Sequence, residues 1–118
     1  MPDIRVAVQV AAGATNQNIL AGNTFEFVGQ RPTAVQVFAV EDGVAETEGA
    51  LDVNFGNAIV AQGLAIPVFT ATLGPDTDKH MVTQGIAMPG DRLVIAAKNV
   101  AAAAAMNLRA LIRLTTVA

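Results

Sequence analysis

The sequence predicts an all-β domain, a sandwich or barrel of eight or nine short strands. Three observations predict it. Apolar residues recur with period two along most of the chain, the spacing that puts one side of an extended segment against a core. The runs are short and punctuated by Gly, Pro and Asn turns, as in VNFGNAI and AMPGDRL, the rhythm of all-β folds. No stretch has a convincing helical period, and no strand–helix–strand alternation occurs.

The elements follow in order. In IRVAVQVA, Ile4, Val6, Val8 and Val10 share one side while Arg5, Ala7 and Gln9 share the other, which reads as a half-buried strand. NILAGNTFEFV reads as two short strands joined at Gly22-Asn23, with Phe25 and Phe27 pointing one way and Glu26 the other. After GQRPT comes AVQVFAV, rich in β-formers, with Pro32 just ahead of it where a missing N–H does least harm. EDGVAETEG reads as an acidic loop carrying Glu41, Asp42, Glu46 and Glu48.

In LDVNFGNAIVAQG, Leu51, Val53 and Phe55 alternate with Asp52 and Asn54, and Gly56-Asn57 separates this run from AIVAQ. Two residues of this type between β-runs favour a tight hairpin, because primed turns need positive φ. AIPVF reads as a further short strand, with Pro67 placing it at an edge. TLGPDTDK reads as a loop and MVTQGIAM as extended. In MPGDRLVIAAKN a Pro-Gly-Asp turn feeds a strand from Arg92 to about Ala97. The last run, NLRALIRLTT, puts Leu108, Ala110, Ile112 and Leu114 on one face and Arg109, Leu111, Arg113 and Thr115 on the other.

The run Ala101–Ala105 is the exception. Alanine is the best helix former, but helices below about 12 residues are marginal in water. The run is expected to form either one helical turn or an irregular crossing between the last two strands. Its small uncharged side chains suit close approach by another protein; burial on its own sandwich is the plainer reading.

Composition narrows function. The 118 residues suit one domain spanning 1–118. Charged residues make up 14%, against roughly 25% in ordinary domains, and lysine occurs only as Lys79 and Lys98. Lysine and glutamate are the types most depleted where a partner covers protein surface. The chain has no Cys, Trp, Tyr or Ser, which excludes disulfides, thiol chemistry and Cys-based zinc sites. Net charge is −3, which argues against binding nucleic acid or an anionic membrane. The opening MPDIRVAVQ shows no apolar signal region. The charge-free runs 6–25 and 53–75 are broken by Gly, Asn and Gln, so neither reads as a membrane span.

Candidate chemistry is thin. Asp76, Asp78 and His80 stand at alternate positions in DTDKH and would share one side of an extended chain, where two carboxylates and an imidazole can hold a metal. A solvated polar loop is the favoured reading, since a complete site needs further ligands and a supporting shell. The acidic segment Glu41–Glu48 lacks the D-x-[DN]-x-[DN]-G calcium pattern and reads as a hydrated hairpin tip. A Ser or Cys nucleophile is missing, and a Thr nucleophile needs a base such as an N-terminal amine. No cofactor, no metal and no enzyme activity are expected. Arg109 and Arg113, with Arg92 near, make a small basic pair, but single-strand binders need aromatic platforms beside a basic groove. The phenylalanines at 25, 27, 38, 55 and 69 all occupy apolar strand positions and read as core.

Taken together, LDVNFGNAIVAQG, MPGDRLVIAAKN and NLRALIRLTT resemble the second half of small single-jelly-roll virion proteins, the minor coat, penton and capsid-decorating subunits of bacteriophages. The resemblance lies in the order of a Gly-turn hairpin, a Pro-Gly-Asp turn into a strand ending at Asn99, an uncharged crossing and a final strand, and it covers roughly Ala50 to the C-terminus. It implies a jelly-roll-like β-sandwich of about eight antiparallel strands and no catalytic residues. It further implies a structural role in the virion, as a capsid-decorating (cement) or minor capsid subunit that assembles with itself, as a trimer or pentamer, and with a major capsid protein. Ala101, Ala103, Ala105, Met106 and Leu111 are the candidate assembly residues. The alternative is a lectin-like binding module, since jelly rolls also host lectins.

Overall fold

The chain folds back on itself about Gly56-Asn57. In the computed structural model, which describes residues 3–23, 26–43, 48–69, 75, 80–101 and 103–116, the strands are β1 (Asp3–Val10), β2 (Thr15–Asn16), β3 (Thr33–Asp42), β4 (Gly49–Phe55), β5 (Ala58–Ala65), β6 (Met81–Ala87), β7 (Leu93–Asn99) and β8 (Met106–Thr116). Each strand before the Gly56 turn pairs antiparallel with its mirror after it: β4 with β5, β3 with β6, β2 with β7 and β1 with β8. Rolling this long ribbon adds the pairs β3–β8 and β4–β7. The result is two four-stranded sheets, ordered β1-β8-β3-β6 and β2-β7-β4-β5. That is a jelly roll, the class of all-β fold that the sequence pattern and the resemblance lead to.

The turn itself has the expected chemistry. Gly56 has φ +59 and, among the described residues, no non-glycine residue takes positive φ, so Asn57 stays on the negative side, the φ pattern of a type II′ hairpin. The Pro-Gly-Asp turn behaves likewise. Gly90 has φ +83, and the Asp91 carboxylate accepts a bond from the Met88 N–H at 3.0 Å.

Period two carries straight through to burial. Leu51, Val53 and Phe55 of β4, and Leu93, Ile95 and Ala97 of β7, are buried while the residues between them are half-exposed. Facing them from the other sheet are Ile4 and Val10 of β1, Val35, Val37 and Ala39 of β3, and Leu108, Ala110, Ile112 and Leu114 of β8. Each fully buried Val, Leu or Ile contributes about 1.5–3 kcal/mol relative to exposure, so this layer holds the sheets together. Sheet β1-β8-β3-β6 also buries Phe38, Val40 and Leu111 on its opposite face, where the Arg113 guanidinium lies over the Phe38 ring, 5.8 Å from its centroid.

Several expectations need correction. NILAGNTFEFV is not a pair of strands. The Asn18 side chain accepts the Leu20 and Ile95 N–H groups and donates to the Leu93 carbonyl, offering the backbone a turn in place of a ladder. Consecutive turns follow, closed by Ala21 N–H to Asn18 O and Asn23 N–H to Leu20 O. The sides are also reversed from the sequence reading: Glu26 is buried and Phe27 is 61% exposed, because the Glu26 carboxylate is held by Arg92 and the Gly22 N–H. Phe38 and Phe55 are core as expected, whereas Phe69 is 39% exposed; Phe25 lies outside the described residues.

Glu41 and Asp42 do not sit in a hydrated loop but close strand β3, and Glu41 is fully buried opposite Leu108. AIPVF forms no regular strand. It crosses from one sheet to the other, and Pro67 O accepts the Glu41 N–H while Phe69 N–H donates to Glu41 O, covering the end of the β3 edge that β6 leaves open. Strand β7 ends at Asn99, the end point the resemblance gives, two residues past the Ala97 read from its pattern. The alanine run takes the second of its two expected forms: among its described residues it is an irregular crossing. No helix occurs among the described residues, so none is long and apolar enough to cross a membrane.

Candidate assembly surfaces

The alanine crossing is positioned by Asn99. This asparagine ends β7 fully inside the domain. Its amide donates to Val10 O at 3.0 Å and Ala104 O at 2.8 Å, and its oxygen accepts the Ala101 N–H at 3.0 Å. One side chain thus replaces the ladder bonds that the crossing lacks. The crossing lies close against Gly43, where an added Cβ would run into the Ala105 carbonyl oxygen.

The candidate assembly residues divide. Ala101, Met106 and Leu111 are buried within the subunit, at 4%, 0% and 1% exposure, and present no surface to a partner. Ala103 is exposed and Ala105 half-exposed. Alternation along β8 does separate Leu111 from Leu108 and Ile112, as the sequence indicates, but Leu111 is buried on its own face too, between the half-exposed Arg109 and Arg113.

A second constellation lies at the opposite end of the sandwich. Arg92 pairs with Glu26, and the Asn18 amide also reaches that carboxylate at 3.4 Å. Donation from Arg92 first, and from the Gly22 N–H second, holds the Glu26 carboxyl below its ordinary value despite burial. On the outer face of the β2-β7-β4-β5 sheet Lys98 of β7 pairs with Asp52 of β4 at 2.6 Å, and the Gly63 N–H donates to Asp52 at 2.8 Å. These two donors, in that order, lower the Asp52 carboxyl as well. Arg113 pairs with Asp3 at 3.2 Å. Arg92 is therefore engaged by Glu26 and does not extend a basic patch from Arg109 and Arg113.

Of Asp76, Asp78 and His80, read as a solvated polar loop, Asp76 and Asp78 lie outside the described residues. His80 is half-buried, its carbonyl accepts the Ala39 N–H, and its ring sits 4.9 Å from that of Phe69. Of the acidic segment, Glu46 lies outside the described residues too. Among the described residues no three acidic or histidine side chains are grouped to hold a metal ion.

The surface that sequence reading missed is the β5/β6 flank. These strands form the edges of the two sheets on the same side of the sandwich, and Gly85 of β6 packs against Phe55 and Val60. Neither AIVAQGLA nor MVTQGIA contains a charged residue. Ile59, Met81 and Ile86 stand on them 65%, 45% and 59% exposed, with Met88 just beyond. The missing charge was visible in the sequence; that both runs are edges was not, because edge position depends on strand order.

No family model, curated protein or solved structure matches this chain. Its class is therefore the one its architecture defines, an eight-stranded jelly roll.

Proposed function

We propose that the protein is a structural subunit of a virus particle, of the bacteriophage capsid-decorating or minor capsid kind. It acts by assembly with copies of itself and with a major capsid protein, and not by catalysis. The observation that carries this reading is the β5/β6 flank: two adjacent sheet edges without a charged side chain, exposing Ile59, Met81 and Ile86. Large apolar side chains left in the open favour burial against a partner, and the uncharged, regularly paired edge of β6 invites pairing that natural proteins otherwise prevent. Placed in a shell, such a flank is covered by neighbours. The resemblance of the second half of the chain to small jelly-roll virion proteins supports the same reading.

The test is immunogold electron microscopy of virus particles from the source of the chain, using antibody raised against the purified protein. Label at regular positions on the capsid supports the proposal. Absence of label on both intact and disrupted particles overturns it.

A further inference from the structure

The fold leaves four strand edges, and they are not alike. Strand β1 carries Asp3 and Arg5 in its first three residues, the charged guard that discourages edge pairing. Strand β2 is two residues long. Strand β5 pairs irregularly with β4, and its Gly63 takes φ +64 with the N–H committed to Asp52; such a bulged edge is a poor template. Strand β6 is different. From Thr83 to Ala87 its register with β3 is regular, Thr83 opposite Val37, Gly85 opposite Val35 and Ala87 opposite Thr33, and it carries no charge and no proline.

The direction of its backbone groups follows from the ladder. In an antiparallel pair, alternate residues turn both N–H and C=O to the same side. The Ala39 N–H of β3 donates to His80 O, so Val37, Val35 and Thr33 also face β6. Their partners Thr83, Gly85 and Ala87 face β3 in return. Gln84 and Ile86 then turn their backbone groups to the open edge, and both residues are exposed.

We propose that β6 pairs antiparallel with β6 of a second copy of the chain across a two-fold axis, joining the two β1-β8-β3-β6 sheets into one. A two-fold at Gly85 sets Gln84 of one copy against Ile86 of the other, so each copy's outward N–H and C=O groups meet their complements. Charge decides the occupant. In an isologous contact residue i meets residue j of the other copy and j meets i, and side chains next to the axis also come near their own equivalents, so a charge carried close to the axis is repelled by its copy. This edge has none, although the chain as a whole carries −3. The contact also covers Ile86, the most exposed large apolar side chain of β6. It stands on the edge geometry and holds whether or not the particle is viral. Where three or five copies form a ring through other faces, it joins two rings.

Sedimentation of the full chain and of Ile86→Lys, each over a concentration series, tests the proposal. The wild type is expected to contain an even number of copies, and I86K half that number, with an unchanged circular dichroism spectrum. In parallel, amide exchange of the wild type is followed by NMR. Gln84 and Ile86 are expected to exchange at least about tenfold more slowly in the concentrated sample than in the dilute one. A wild type that is monomeric throughout, an odd number of copies, an I86K variant of unchanged mass, or concentration-independent exchange at Gln84 and Ile86 overturns it. If I86K does not fold, the wild-type mass and exchange measurements decide alone.

Discussion

The side-chain amide of Asn99 donates to the backbone carbonyl of Val10 at 3.0 Å, tying the last residue of β7 to the last residue of β1 across the sandwich. The same amide holds Ala104, and its oxygen holds Ala101. Removing a buried side chain that satisfies several backbone groups leaves each of them without a partner and without water. Asn99→Ala is therefore expected to cost about 2–4 kcal/mol, read as a lower urea midpoint. A cost under about 0.5 kcal/mol, the usual size for a surface substitution, would mean that Asn99 does not organise the crossing.

Acid stability turns on Glu26. Its carboxyl is held below the ordinary 4.5 by Arg92 and the Gly22 N–H. A group whose folded pKa is depressed contributes stability above its unfolded pKa, and that contribution is lost as pH falls through the folded value, because the unfolded chain takes up the proton first. The urea midpoint of the wild type is expected to fall as pH drops below about 4.5. Glu26→Gln is expected to be less stable at pH 7 and to show a shallower acid limb. The limb does not vanish, since Asp52 is lowered in the same direction by Lys98 and Gly63. Parallel wild-type and E26Q curves across the acid range would show that the pair does not contribute to stability.

Two glycines are expected to differ in tolerance although both have positive φ. At Gly56, φ is +59 and an added Cβ would lie 2.7 Å from the Asp91 carboxylate, a side chain that can turn away. At Gly43, φ is +100 and the obstacle is the Ala105 backbone oxygen, which moves only if the crossing moves. Gly56→Ala is expected to cost about 1–2 kcal/mol, the scale of left-handed strain for an L-residue. Gly43→Ala adds a backbone clash to a conformation further from the allowed left-handed region and is expected to cost more than twice as much, or to abolish folding. Thermal unfolding of the two variants side by side checks the order; equal losses would count against the close approach at Gly43.

Much of this fold was legible in the sequence, for identifiable reasons. Strict alternation in residues 4–10 and 51–55 marks strands directly, because one face of each is buried, and in 108–115 the same alternation is broken only by Leu111, which is buried on the other face. Gly56-Asn57 and Pro89-Gly90-Asp91 announce their turns because few other residues adopt those backbone angles. What failed was decided at long range. The segment around Asn18 and Glu26 has strand-like composition, but its polar side chains find partners at Arg92, Leu93 and Ile95, far away in sequence. Glu41 reads as loop because charge normally stays in water, yet the strand carries it inside. The candidate assembly residues failed on the same ground: period two shows that Leu111 faces away from Ile112, but it does not show that β8 lies between β1 and β3 or that Leu111 is buried among its neighbours on that face. The unguarded edge of β6 depends on that order too.

Within the alanine run, Ala101 and Ala103 differ in burial although only two residues apart, and substitution can read it. Ala101 is 4% exposed and donates its N–H to Asn99, while Ala103 faces outward. A glutamate at 101 places a carboxylate in a space built for one methyl group, with no water to solvate it, and either unfolds the crossing or carries a large penalty. A glutamate at 103 projects into solvent. Ala103→Glu is expected to change stability by no more than about 0.5 kcal/mol, and Ala101→Glu to cost at least about 3 kcal/mol, among the large effects that trace to a buried charge. Urea unfolding of the two variants at neutral pH makes the comparison. Similar losses at both positions would mean that the whole crossing is buried in the free protein and offers nothing for a neighbour to cover; the expected difference leaves Ala103 as its accessible point.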